Sequence, residues 1–292
     1  MKIATFLAII LLPFYAASQD SLATHYKIYN TLSQKLVSPD DIISSMDKAD
    51  VLFFGEEHND STAHQLEYIL FKKLSEKYPG KTALSMEMFE SDSQTVLNEY
   101  LAGLIREENF TTDARVWPNY ADYRPLIEYA KSYNIPVIAA NAPERYTNMV
   151  NRLGLNSLSQ LDATGKSYLP PLPIDTATGQ YYEKFGQIMG GHAAMPGMQM
   201  YQAQNLWDAT MGWSIAKFIK SHRNYKVLQL NGGFHSEEKL GIVVQLKHYD
   251  HKTRILTIAA YSDDSFDKPD WSKFKQMGDY VILTDPKLPK TF

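Results

Sequence analysis

The chain contains no cysteine. That excludes disulfides, thiolate nucleophiles, zinc ribbons and Fe–S clusters, and it removes the cysteine through which a bacterial lipoprotein is anchored. A basic excess is also missing: 29 Lys and Arg stand against 33 Asp and Glu, a net charge of −4. No cationic field draws in nucleic acid or an anionic membrane surface, so no nucleic-acid partner is expected. Beyond Tyr15 no apolar run is long enough to span a bilayer. No internal repeat of solenoid or propeller length is visible.

What is present begins with a processing signal. Lys2 supplies a positive charge, Ile3 to Tyr15 an apolar core too short for a membrane span, and Ala16-Ala17-Ser18 the small residues of a cleavage site. Residues 1–18 are therefore predicted to be a signal peptide and 19–292 the mature domain, exported and periplasmic or envelope-associated. An apolar content of 44% is ordinary for a globular protein, and the length of 292 suits one large domain, with or without a smaller one embedded.

The chain is organised around Val51-Leu52-Phe53-Phe54-Gly55-Glu56-Glu57-His58. Four apolar residues run into a glycine, two carboxylates and a histidine, the pattern of a buried strand, a tight turn and a helix start. Val227-Leu228-Gln229-Leu230-Asn231-Gly232-Gly233-Phe234-His235 repeats the phrase, so Gly-x-x-His occurs twice, each time after a strand. Further strands are predicted at Thr82 to Met88 and Pro136 to Ala140, with helices between them. Thr253 to Ala260 and Tyr280 to Thr284 read as late edge elements, open to antiparallel pairing. Such alternation predicts an α/β fold with a mainly parallel sheet and helices on both faces. The order breaks near Leu155, and residues 155 to about 205 read as a small inserted helical cap over the sheet edge.

In parallel sheets ligands bind at the C-terminal edge of the strands. That edge collects Glu56, Glu57, His58, Glu87, Asn141, Arg145 and His235. Two histidines and a strand-end carboxylate suit either a divalent metal held by His58, His235 and Glu87 or metal-free acid/base chemistry. Plainer readings stand beside these. His58 can bond a backbone carbonyl, Glu87 can form a buried pair with Arg145, and one of Glu56 and Glu57 can be merely solvated or capping. His64, His222, His248 and His251 read as surface residues. The cap offers Met189, Met195, Met198 and Met200 with Tyr181, Tyr182, His192 and Tyr201, a thioether- and aromatic-rich surface suited to a large flat ligand such as haem. Packing of the cap onto the sheet is the plainer reading there.

Taken together, Gly55-Glu56-Glu57-His58-Asn59, Met86-Glu87-Met88-Phe89, the stretch from Trp117 to Arg124, Ala140-Asn141-Ala142-Pro143, Ala203-Gln204-Asn205-Leu206-Trp207-Asp208 with Met211, and Asn231-Gly232-Gly233-Phe234-His235 resemble the ChaN-like haem-binding uptake domain of the Tiki superfamily. The resemblance spans about residues 40 to 284. It implies an α/β sheet domain with a small helical subdomain, and haem held as a cofacial pair between two subunits, with tyrosine on iron and histidine near the propionates. Tyr201, Tyr182 and Tyr181 are the candidate tyrosines, and His192 the candidate propionate contact or axial ligand. An exported haem-binding protein of bacterial iron uptake is the expectation, as a homodimer, with an outer-membrane haem receptor as a further partner. The wider superfamily also includes metal-dependent proteases and erythromycin-esterase-like hydrolases. By that resemblance His58, Glu87 and His235 would form a catalytic core, so a hydrolase with or without a divalent metal is the alternative; Glu57, Arg145 and Asn141 join it as candidates from their places at the strand ends.

Overall fold

The structure, a computed structural model, describes residues 22–190 and 198–292. The expected signal peptide, His192 and Met195 lie outside the described residues.

Eight strands form one sheet: β1 (Tyr26–Asn30), β2 (Lys35–Val37), β3 (Val51–Glu56), β4 (Thr82–Glu90), β5 (Val137–Asn141), β6 (Lys226–Gly232), β7 (Ile255–Ser262) and β8 (Tyr280–Thr284). Their order is β2-β1-β8-β7-β3-β6-β4-β5. The six from β8 to β5 run parallel, and β1 and β2 add an antiparallel margin. The mainly parallel α/β sheet expected from the sequence is thus present. The expected late edge is not. β7 pairs in parallel with β3, β8 pairs in parallel with β7, and the true edges are β2 and β5. The near-continuous apolar runs of β7 and β8 fit their interior position, because an interior parallel strand is buried on both faces.

β3 is buried at every position. Leu52 and Phe54 join a core shared with α2 (Ser61–Lys77) and α5 (Tyr120–Ser132), while Val51 and Phe53 face α9 (Met200–Ser221) and α10 (Ile242–Tyr249). Alternate residues point to opposite faces of a strand, so one apolar segment anchors two layers. Burying each phenylalanine contributes roughly 1.5–3 kcal/mol. Asp60 caps α2, accepting from the amides of Thr62 and Ala63 at 2.9 and 3.1 Å. Other helices are shorter: α1 (Pro39–Ser45), α3 (Gln94–Leu101), α4 (Glu107–Asp113), α6 (Glu144–Leu153), α7 (Ala163–Ser167) and α8 (Gln180–Ile188).

Between residues 155 and 205 lie a 3-10 turn, α7, α8 and the first turn of α9. They have a small core of their own, in which Leu158, Leu169 and Ile174 pack on Val150 of α6 and on Ala203 and Leu206 of α9. The long helix α9 crosses from this cluster to the sheet, where Met211 and Ile215 are fully buried. Among the described residues no helix is long and apolar enough to cross a membrane.

Candidate functional site

β3 and β6 are neighbours in register, with Gly55 opposite Asn231 and Glu56 opposite Gly232. The two Gly-x-x-His turns therefore leave the sheet side by side. They interlock closely. A Cβ on Gly232 would lie 2.7 Å from His58 Nε2, and one on Gly55 would lie 2.9 Å from the Ser236 hydroxyl oxygen and 3.0 Å from the Gly233 Cα. Glycine permits the close approach at both positions, against backbone at Gly55 and against the movable His58 ring at Gly232, and neither is there for an unusual dihedral. His58 and His235 line one hollow of about 350 Å³ with Phe234, Gln204 and the α8 side of the molecule, which brings Phe185, Ile188 and Met189.

His235 is the centre of a buried chain. Its Nδ1 donates to Asp208 Oδ1 at 2.6 Å, and its Nε2 lies 3.4 Å from Glu87 Oε1. Asp208 Oδ2 accepts from the Tyr181 hydroxyl at 2.5 Å, and Glu87 Oε2 accepts from the Gly232 amide at 2.7 Å. The Gln204 amide group reaches both the Tyr181 hydroxyl and His235 Nδ1, at 3.1 and 3.0 Å. Burial opposes a charge on His235, but the carboxylates of Glu87 and Asp208 override it and raise its pKa to about 10. Burial likewise works against ionised Glu87, yet His235 and the Gly232 amide hold its pKa below the ordinary value. Burial raises the Asp208 pKa as well, against the opposing pull of His235 and the Tyr181 hydroxyl. The two carboxylates facing His235 favour its imidazolium form.

His58 belongs to a second buried chain. Its Nδ1 lies 2.8 Å from Glu56 Oε1, which also accepts from the Tyr123 hydroxyl at 2.5 Å. Glu56 Oε2 faces His64 Nδ1 at 3.2 Å, and Glu67 Oε2 lies 3.4 Å from the same nitrogen. Burial would raise Glu56, but hydrogen bonds from Glu67, His58 and His64 hold it far below the ordinary carboxylate range. Glu67, equally buried and facing the Glu56 charge, is pushed well up. Burial also disfavours charge on His64, and its hydrogen bonds to the two glutamates override that and raise it to about 11. Trp117 packs edge-on against His58 at 5.1 Å, and the Asn119 amide donates to the His58 carbonyl at 3.2 Å. The Trp117-Pro118-Asn119-Tyr120 stretch thus braces the first turn.

Not every residue assigned to the rim from the sequence lies there. His58, Glu87 and His235 come together around the hollow. Glu57 borders it, but its carboxylate is 40% exposed and pairs with Lys290 at 2.8 Å; the inward carboxylate is Glu56. Arg145 pairs with Asp92 and lies over the ring of Tyr146, so it does not pair with Glu87. Asn141 accepts from the Ala142 amide at 2.9 Å on the edge strand β5. The cause is strand order: β5 is the edge strand, separated from β6 by β4, so its exit joins the residues after β4 in a separate polar cluster, in which Asp92 also pairs with Arg115 at 2.5 Å.

The three tyrosines also separate. Tyr181 is buried against Asp208, and burial together with that charge pushes its phenol far up, out of the titrating range. Tyr201 donates to the Ala177 carbonyl at 2.6 Å. Tyr182 is 59% exposed, its ring 5.0 Å from that of Tyr201.

Asp208, Gln204, Tyr123, His64 and Glu67 were not foreseen as site residues. His64 in particular, expected on the surface, is buried. The available signal was polar residues on otherwise buried helix faces: Gln204 and Asp208 are four apart, and His64 and Glu67 three apart, spacings that place side chains together.

An open α/β sheet whose adjacent parallel strands deliver a pair of histidine turns, each backed by buried carboxylates, defines a class of α/β protein with a polar cleft at the C-terminal edge of its strands, where such sheets bind ligands. Within that class the family is specific. Residues 42–246 match the family described as haem-binding uptake, Tiki superfamily, ChaN, and the chain belongs to it. The fold is similar to that of ChaN of Campylobacter jejuni, in a structure described by cofacial heme binding, with a TM-score of 0.66 and 19% identity, over 89% of this chain and 97% of that one. An erythromycin esterase mutant in its open conformation aligns with a TM-score of 0.48 and 10% identity, over 89% of this chain and 83% of that one. The chain is also 29% identical over 91 residues to the chloroplastic protein RETICULATA-RELATED 5 of Arabidopsis thaliana, a stretch covering 30% of this chain but only 12% of that protein.

Proposed function

We propose that this chain is an exported haem-binding protein of bacterial iron uptake, and that Tyr182 is its iron ligand. The observation that carries the reading is the contrast among the three tyrosines. Tyr181 is consumed by Asp208 and Tyr201 by a backbone carbonyl, while Tyr182 presents its phenol to solvent one turn before Phe185. Phe185, Ile188 and Met189 add the apolar and thioether wall that a porphyrin ring needs. This donor set fits haem, whose iron accepts a phenolate oxygen. A hollow of about 350 Å³ is near the lower end for ligand pockets, so haem there keeps one face open. Ile188, 64% exposed, lies on the same helix. A second copy bringing its own haem would cover that face, in keeping with the cofacial arrangement described for the Campylobacter protein. Export rests on the Lys2 to Ser18 segment, and delivery from an outer-membrane haem receptor would follow from a periplasmic location.

Titration with haem tests the reading. A Soret shift saturating at one haem per chain is expected, with the charge-transfer bands of a phenolate ligand. Those bands should vanish in Tyr182→Phe and persist in Tyr201→Phe. An unshifted Soret band, or bands indifferent to Tyr182→Phe, counts against it. Mass measurement of the exported protein, starting at Gln19, checks cleavage.

Hydrolysis is the second reading, supported by the Tyr181–Asp208–His235 chain beside Glu87. A base must be neutral near the working pH. His235, raised to about 10, is instead an acid at rest, so it would donate a proton to a leaving group. Turnover of an ester panel that is lost in His235→Gln would favour this reading.

A further inference from the structure

Behind the His58 turn, Glu56, His64 and Glu67 meet in the space between β3 and α2. We propose that these three residues form a buried site for a divalent first-row cation of the zinc type, separate from the His58, His235 and Glu87 set. Each offers one ligand atom, and the three atoms lie within 4.8 Å of one another; no other such trio of His, Asp and Glu occurs among the described residues. Metal bonds of about 2.0–2.2 Å place tetrahedral ligands roughly 3.3–3.6 Å apart. His64 Nδ1 lies 3.2 Å from Glu56 Oε2 and 3.4 Å from Glu67 Oε2, close to that spacing.

The surroundings hold each ligand as a metal site would. The other nitrogen of His64, Nε2, donates to the His58 carbonyl at 3.2 Å, which directs Nδ1 at the carboxylates. A ligating histidine usually makes such a second bond. The other oxygen of Glu56 is occupied by Tyr123 and His58. Meanwhile Glu67 Oε1 is fully buried with no hydrogen-bond partner among the described residues, and Glu56 Oε2, equally buried, is faced by His64 Nδ1 at 3.2 Å. Two buried carboxylates in contact need positive charge between them: either the protons held by His64 and Glu67, or a cation that replaces them when it binds. With imidazole and carboxylate ligands and no thiolate, the set suits zinc or manganese more than copper(I). A cation there would fix Glu56, and through Glu56 the imidazole of His58 at the hollow.

The test is the metal content of untagged protein grown with added zinc, then dialysed against a weak chelator. One zinc per chain is expected in the wild type and in Glu87→Gln, and none in Glu67→Gln. X-ray absorption at the zinc edge should show one imidazole and two carboxylates, a readout that needs no variant to fold. Zinc-free wild type, zinc surviving Glu67→Gln, or a spectrum requiring two imidazoles would overturn the proposal. The last result would move the ion to His58 and His235 and would leave the haem reading untouched.

Discussion

His235 Nδ1 and Asp208 Oδ1 lie 2.6 Å apart in the interior, brought together by a strand-end turn and the middle of a long helix. The pair ties α9 to the rim of the sheet. Its loss should be costly, because breaking a buried ion pair destabilises by roughly 3–5 kcal/mol, and Glu87, 3.4 Å from the other nitrogen, keeps the loss near the lower end of that range. Asp208→Asn keeps the shape and removes the charge, so a loss on the order of 3 kcal/mol in urea unfolding at neutral pH is expected. A loss within error would mean that the pair is neutral.

The same pair sets a pH dependence. Folding raises the His235 pKa from the ordinary 6.5 to about 10. A group raised in this way contributes stability that is complete below its unfolded value and is lost as pH climbs through its folded value. Wild-type stability should therefore fall between pH 6.5 and about 10, and Asp208→Asn should flatten the slope. Urea midpoints across that range decide it; parallel slopes for the two proteins would exclude His235 as the source.

Tyr181 and Tyr182 are neighbours with opposite surroundings, and their phenylalanine variants should separate accordingly. Tyr181→Phe removes a buried hydrogen bond to the Asp208 carboxyl group, with a cost of about 1.5–3 kcal/mol. Tyr182→Phe, at an exposed position, should change stability by less than ~0.5 kcal/mol. Thermal unfolding of the two variants, without haem, is the measurement. Equal losses would show that Tyr182 is packed more tightly than its 59% exposure implies.

Gly232→Ala tests the contact between the two turns. Its Cβ would fall 2.7 Å from His58 Nε2, at the tip of a half-exposed ring that can swing away. Overpacking of this kind costs about 1–3 kcal/mol. The protein should fold with His58 displaced from Glu56, visible as a changed imidazole ¹⁵N shift. An unchanged shift would place the strain in the backbone instead.

Arg145 supplies a control. It is nearly half exposed, and its partner Asp92 keeps Arg115 when it is gone. Arg145→Ala should cost within ~1 kcal/mol and leave haem affinity unchanged. Weakened haem binding would return Arg145 to the site from which strand order removes it.

The strand–helix alternation, the two glycine–histidine turns and the apolar strands that carry them are legible in the chain alone, because local periodicity and turn chemistry are written in consecutive residues. Gly55 and Gly232 announced that something comes close without saying what. Tertiary structure alone decided that β7 and β8 sit inside the sheet and that β4 and β5 close its far side, since strand order depends on which faces the helices cover. It also decided that Glu56 and not Glu57 turns inward, that Asp208 and Gln204 reach His235, and that His64 is buried. Those choices are made by side chains from distant segments competing for the same desolvated space, a competition that no single stretch of the chain contains.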